Sequence, residues 1–112
     1  MDEVELRINE LDVDTYLALR AGVHWKVLKQ EQAQLALKNS LYVVSAYRDG
    51  RCVGMGRLVG DGAVICYVQD LIVLPEVQGR GIGSLILTRL KNRVEELRQE
   101  GSEMMFCLMC AK

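Results

Sequence analysis

The sequence predicts an α+β fold around a mostly antiparallel sheet, with elements in the order β-α-α-β-β-β-α-β. Three observations carry this expectation. Two Asp-Gly pairs, Asp49-Gly50 and Asp61-Gly62, separate three strand-like runs, which is the pattern of an antiparallel meander. Leu87, Leu90, Val94 and Leu97 recur at three- and four-residue spacing, with Ile86 widening the stripe, and this marks an amphipathic helix. Between the meander and that helix lies a glycine-rich run, Gly79-Arg80-Gly81-Ile82-Gly83.

Taken in order, Val4 to Ile8 alternates apolar and polar residues as a first strand does. Asp12 can cap a helix over about Val13 to Ala21, and a second helix is expected over about Lys29 to Asn39. His24 and Trp25 lie in the connection between them and are expected to anchor it to the core. Leu41 to Arg48 is rich in β-branched and aromatic residues and reads as a strand. Arg51 to Val59 and Ala63 to Leu74 complete the meander, with Arg57 expected on its solvent face. Pro75 ends the third run and holds Leu74 extended. After the glycines, Arg89, Lys91, Arg93, Glu95, Glu96 and Arg98 fill the polar side of the long helix, and Gly101 is placed to end it. Met104 to Cys110 is apolar and reads as a final buried strand.

The chain of 112 residues fits one domain, residues 1–112, able to bury a real core. With 50% hydrophobic and 26% charged residues it reads as globular rather than disordered. A net charge of −1 argues against a general nucleic-acid binder, which carries a basic excess. No apolar stretch approaches a membrane span, and the acidic start lacks a signal peptide's apolar run, so a cytoplasmic location is expected. Of the four cysteines, Cys107 and Cys110 point to opposite faces of an expected strand, while Cys52 and Cys66 form no close pair in sequence. His24 is the only histidine. The cysteines are therefore read as packing groups, and no metal is expected.

A glycine-rich turn opening a helix aims several free backbone N–H groups at one spot, with the positive helix end behind them. Such a turn suits phosphate or pyrophosphate. A dinucleotide-binding turn would need a third glycine where Ser84 stands, and a parallel crossover in place of hairpins. A nucleotide-binding loop would need a lysine after Gly83, and none follows. A tight connection without a ligand is the remaining alternative.

The stretch Asp70-Leu71-Ile72-Val73-Leu74-Pro75-Glu76-Val77-Gln78-Gly79-Arg80-Gly81-Ile82-Gly83 resembles the signature of the GNAT superfamily, the acetyl-coenzyme A-dependent N-acetyltransferases. The family's core pattern, Q/R-x-x-G-x-G/A, is matched by Gln78, Gly81 and Gly83, and the element order agrees. The resemblance implies helices on both faces of the sheet and acetyl-CoA as cosubstrate. It implies that the backbone amides of Gly79, Arg80, Gly81, Ile82, Gly83 and Ser84 hold the pyrophosphate, with Gln78 at the entrance and Arg80 adding charge. It further implies a bulge in the strand Ala63 to Leu74, with the pantetheine arm along Leu71, Ile72 and Val73. The Leu71 N–H would polarise the thioester carbonyl. Asp70 is then the candidate base for the incoming amine and Gln69 a holder of water or substrate, with a structural role for Asp70 as the alternative.

The implied reaction is direct attack by a primary amine, on a small molecule or peptide, in a ternary complex. The family usually continues past the fifth strand into a helix and hairpin, often with a tyrosine that protonates the leaving thiolate, whereas this chain stops at Lys112. Tyr16, Tyr42, Tyr47 and Tyr67 fall in helix- or strand-like segments and are read as packing groups. The open edge of the last strand would favour pairing with a second copy into a homodimer. A non-catalytic acyl-CoA-binding module is the alternative to the enzyme.

Overall fold

A computed structural model describes residues 3–98 and the backbone of the strand Met105–Leu108. The elements are β1 (Glu5–Ile8), α1 (Val13–Gly22), α2 (Gln30–Lys38), β2 (Tyr42–Arg48), β3 (Arg51–Gly60), β4 (Ile65–Val73), a 3₁₀ turn (Pro75–Val77), α3 (Ile82–Leu97) and β5 (Met105–Leu108). They form one five-stranded sheet in the order β1-β2-β3-β4-β5. β1 to β4 run antiparallel to their neighbours, and β5 pairs parallel to β4 along Ile65–Val68. The expected order and sheet type are the observed ones. Among the described residues, no helix is long and apolar enough to cross a membrane.

The local chemistry explains the boundaries. Asp12 caps α1, its carboxylate accepting from the Thr15 backbone N–H at 3.1 Å and the Thr15 hydroxyl at 2.7 Å. Those bonds hold the Asp12 carboxyl below its ordinary range, the Thr15 hydroxyl contributing most. Asp49 and Gly50 both take left-handed conformations, at φ 53° and 78°, as a tight hairpin between twisted strands requires. The second turn is wider than expected. Asp61 accepts from the backbone N–H groups of Ala63, Val64 and Ile65 at 2.8–3.0 Å, so β4 starts at Ile65 rather than Ala63.

Helices cover both faces. On one, Ile86, Leu90 and Val94 of the expected α3 stripe are buried over the sheet together with Ile82, while Leu87 and Leu97 are half-buried. Gly56 of β3 makes room for the stripe, since a Cβ there would lie 2.9 Å from both Ile86 Cγ2 and Leu90 Cδ1. Arg93, expected on the polar side, is half-buried with its guanidinium 5.4 Å from the centre of the Tyr42 ring. Arg89 donates to the same tyrosine's hydroxyl at 3.2 Å. On the opposite face, Tyr16 and Leu19 of α1 and Ala33 of α2 are buried in the core. The described part of α3 ends at Leu97, and the expected stop at Gly101 lies outside the described residues, as do Met104 and Cys110.

Candidate functional site

The end of β4 and the start of α3 form one continuous feature. β4 runs in regular register with β3 from Cys66 to Gln69 and again from Ile72 to Val73. Between these stretches a single β3 residue, Gly56, stands opposite two, Asp70 and Leu71. This is a β-bulge, and it falls on the strand where the family resemblance implied one. Asp70 takes φ 53° there, a left-handed conformation uncommon outside glycine and costly inside a strand.

Past Val73 the chain makes its 3₁₀ turn, with Pro75 at the first position, and the Gln78 side chain folds back to donate to the Val73 carbonyl at 2.9 Å. That bond ties the entrance of the glycine turn to the strand it leaves. Gly79 and Gly81 follow at φ 81° and 80°, so glycine is needed at both for backbone reasons. A Cβ at either would meet nothing within 4 Å, which leaves the outer face of the turn open to a ligand. Gly81 is the N-cap of α3, without a side-chain cap and without an acidic residue in the first turn. The first intrahelical bond runs from the Leu85 N–H to the Gly81 carbonyl at 3.1 Å, so the amides of Ile82, Gly83 and Ser84 precede the ladder. Ile82 is buried and pins the helix start, whereas Arg80 and Ser84 are exposed beside the turn.

The remaining expected residues divide between core and surface. Ile72 is buried opposite Met55, while Val73 and Leu71 are half-buried. Gln69 is half-buried opposite Arg57. A cavity of about 590 Å³ lies beside this region between α1, the β2–β3 turn and Leu74–Glu76, with Asp14, Arg51 and Glu76 on its walls. A smaller one of about 310 Å³ lies under the α1–α2 connection, lined by Arg20, Trp25, Val27 and Leu28.

Asp70 sits in a cluster that sequence reasoning did not assemble. Its Oδ1 accepts from Arg20 Nη1 at 2.9 Å. Its Oδ2 accepts from Arg57 Nε at 2.7 Å and from the Tyr16 hydroxyl. The Asp70 side chain is 6% exposed and each arginine side chain 14%. Arg57 is therefore not on a solvent face, as expected from its mid-strand position, but turned inward toward α1 and α2. It also donates to the Ser40 hydroxyl at 3.2 Å and the Ala36 carbonyl at 3.4 Å. Arg20 reaches the Lys26 carbonyl at 3.1 Å, and its guanidinium lies 5.3 Å from the centre of the Trp25 ring. Trp25 thus anchors the α1–α2 connection as expected, whereas His24 is exposed at φ 59°. Burial, and after it the bond to Asp70, pushes the Tyr16 phenol above its ordinary value. Tyr16 packs in the core and donates into the cluster at once. The signal that could have found this is the four-residue spacing of Tyr16 and Arg20, which places both on one face of α1.

Cys52 is half-buried and Cys66 buried, both as free thiols raised above their ordinary value by burial. The side chains of Cys107 and Cys110 lie outside the described residues. Among the described residues, no group of three or more His, Cys, Asp or Glu side chains is placed to hold a metal ion.

Comparison with known proteins places this geometry in a family. The profile of the acetyltransferase (GNAT) family matches residues 7–109. Serotonin N-acetyltransferase 2, a chloroplastic protein of Oryza sativa subsp. japonica, is 33% identical over 95 residues, covering 81% of this chain. That match takes in 46% of the rice protein, so the chain spans about half the length of this relative. Among solved structures, protein SA2161 of meticillin-resistant Staphylococcus aureus superposes with a TM-score of 0.87 at 28% identity, covering 97% of this chain and 80% of its own. The GNAT family protein SP0256 of Streptococcus pneumoniae TIGR4 gives a TM-score of 0.80 at 30% identity, with 100% and 77% covered. A family profile that matches most of the chain, with these superpositions beside it, shows that this chain belongs to the GNAT acetyltransferase family.

Proposed function

We propose that the chain transfers acetyl from acetyl-CoA to a primary amine of a small molecule or peptide, by direct attack in a ternary complex. The observation that carries this reading is the turn from Gln78 to Ser84, where two left-handed glycines open onto empty space and lead into an uncapped helix. Free amides at a helix start suit a pyrophosphate, and family members take their acetyl group from acetyl-CoA. The amides from Gly79 to Ser84 hold the pyrophosphate, and Arg80, exposed beside them, adds charge. The pantetheine arm follows the backbone of Leu71, Ile72 and Val73. At the bulge the Leu71 N–H supports the oxyanion of the tetrahedral intermediate.

The amine must attack as the neutral form, since an ammonium has no lone pair. Asp70 is the carboxylate at the bulge, yet both its oxygens already accept from Tyr16, Arg20 and Arg57. We therefore assign the proton to water held at Gln69, half-buried one residue before the bulge, and keep Asp70 out of direct contact with the amine. The thiolate then leaves as coenzyme A. Pairing of two copies along β5, an edge of the described sheet, belongs to the same proposal and is checked by sedimentation.

An acetylation screen over amino acids, polyamines, aminoglycosides, arylalkylamines and peptides, read by thiol release and product mass, tests the reading. A single amine class acetylated above background supports it. Coenzyme A binding without acetylation across the panel would favour an acyl-CoA-binding module, and neither binding nor transfer would defeat both.

A further inference from the structure

We infer that Asp70, Arg57 and Arg20 form a positioning clamp that holds the bulge of β4 in the shape the Leu71 amide needs, an inference that rests on the acetyl-transfer reading above.

The argument starts from a backbone conformation that has to be explained. Asp70 is a non-glycine residue at φ 53° in the interior of a strand. An aspartate takes this conformation readily in a turn, as Asp49 does, but inside a strand it breaks the ladder and has to be held by its surroundings. The surroundings here are three donors from two elements, aimed at the two oxygens of one carboxylate. Tyr16 and Arg20 come from α1 and Arg57 from β3. One carboxylate needs one cation for charge balance, so two buried guanidinium groups exceed what pairing requires. Their directions account for the excess. Arg20 pulls on Oδ1 and Arg57 on Oδ2, and together they fix the carboxylate's plane as well as its position.

Fixing Asp70 fixes Leu71. The two residues share the single opposite partner Gly56, and their side chains leave the sheet on opposite faces. Asp70 turns to α1, while Leu71 Cδ1 approaches within 3.3 Å of where a Gly56 Cβ would stand, on the face covered by α3. The peptide joining them is therefore held from both sides. Its N–H is the one the proposed reaction uses at the thioester carbonyl, where small displacements of a donor are expensive.

The clamp extends beyond the bulge. Arg20 also holds the Lys26 carbonyl in the α1–α2 connection, and Arg57 holds the Ala36 carbonyl and the Ser40 hydroxyl at the end of α2. The α1–α2 connection, the end of α2 and the bulged strand are thus keyed to one carboxylate. Arg20 Nε stays buried without an acceptor among the described residues, a cost consistent with a side chain placed for the reach of its other two nitrogens.

A kinetic double-mutant cycle tests the clamp, using the parent chain, Asp70→Asn, Arg57→Gln and the double variant. The readouts are kcat per folded molecule, coenzyme A affinity by calorimetry and the pH profile of kcat. Each single variant is expected to lose about tenfold to a hundredfold in kcat. Coenzyme A affinity should stay within about twofold, and the double variant should lose no more than the worse single one. Asp70→Asn keeps the parent's pH profile, because Asp70 is not the base, and Arg57→Lys recovers part of the loss.

Flattening of the pH profile in Asp70→Asn, with Arg57→Gln at full rate, would make Asp70 the base and overturn the clamp. Lowered stability with unchanged kcat per folded molecule would reduce the cluster to a structural pair and overturn it too. Where Asp70→Asn does not fold, Tyr16→Phe removes one donor and carries the same expectations at smaller size. If the parent acetylates no amine, the acetyl-transfer reading has failed on its own account. The Leu71 amide resonance then decides for the clamp: a shift in Arg57→Gln supports it, and an unmoved resonance contradicts it.

Discussion

The glycine turn follows Asp70 closely in sequence, yet the turn and the cluster around Asp70 are built on opposite principles. The turn works through backbone alone. Its amides are offered outward, its glycines meet nothing within 4 Å, and the one side-chain bond at its entrance, from Gln78, reaches five residues back. The cluster works through side chains, which meet at one carboxylate and reach two backbone carbonyls beyond it. Its members stand 50, 54 and 13 residues from Asp70 in sequence and are almost closed to solvent. The turn is shaped to receive a ligand, and the cluster to hold the protein to itself. Damage to the first should therefore appear in binding and damage to the second in stability and turnover.

The largest expected effect comes from the cluster. Asp70→Ala leaves two guanidinium groups buried without their carboxylate, and breaking a buried pair in this way costs about 3–5 kcal/mol. Urea denaturation should show that loss, while the folded fraction still binds coenzyme A nearly as the parent does. Gly81→Glu makes the opposite change. It puts a negative charge, and a side chain at φ 80°, where the pyrophosphate belongs, and calorimetry should show coenzyme A affinity falling by at least about 100-fold, or ~2.7 kcal/mol. The variant also carries the strain of a non-glycine residue at φ 80°, about 1–2 kcal/mol, so affinity is read on the folded fraction, and unchanged affinity there would remove the turn from the binding site. Gly56→Ala strikes where the two regions meet, because its Cβ would press on Ile86 and Leu90 at 2.9 Å. Overpacking of this kind costs about 1–3 kcal/mol, and a loss of both stability and turnover would join the helix face to the bulge.

The smallest effect is alkaline. The Tyr16 phenol titrates higher in the folded chain than its unfolded value of about 10. The stability that the buried neutral phenol contributes, through its burial first and its bond to Asp70 second, is thus fully present below about pH 10 and is lost as pH rises through the folded value. Tyr16→Phe should be less stable than the parent at neutral pH and should decline less steeply above about pH 10. Parallel alkaline curves for the two proteins would remove Tyr16 from the account.

The same contrast explains what could be read from the sequence. The meander, the amphipathic helix and the glycine turn rest on neighbours in sequence, through Asp-Gly pairs, three- and four-residue spacing and glycines needed at positive φ. β4 starts two residues later than strand propensity predicts because the Asp61 carboxylate captures three successive amides, which propensity does not register. Ile86, Leu90 and Val94 of the expected stripe on α3 are buried, while Ile82 joins them from the preceding turn and Leu87 and Leu97 are only half-buried, because contact with distant strands sets which edge of the stripe is covered. Arg57 reads as an exposed strand arginine until α1 is folded over it. Its partner Asp70 was legible as a polar residue at a bulge, yet the donors that occupy it come from Tyr16 and Arg20, far back in the chain.

The claim at the centre is that the Gln78–Ser84 turn and the bulged end of β4 form one acetyl-CoA site. Titrating acetyl-CoA into the uniformly labelled chain and following backbone amide resonances tests it most directly. The account predicts saturable shifts, largest at Gly79 to Ser84 and continuing through Leu71 to Val73, with α2 and the β1 edge unmoved. Saturable shifts centred elsewhere, or none at ligand concentrations in the millimolar range, would contradict it.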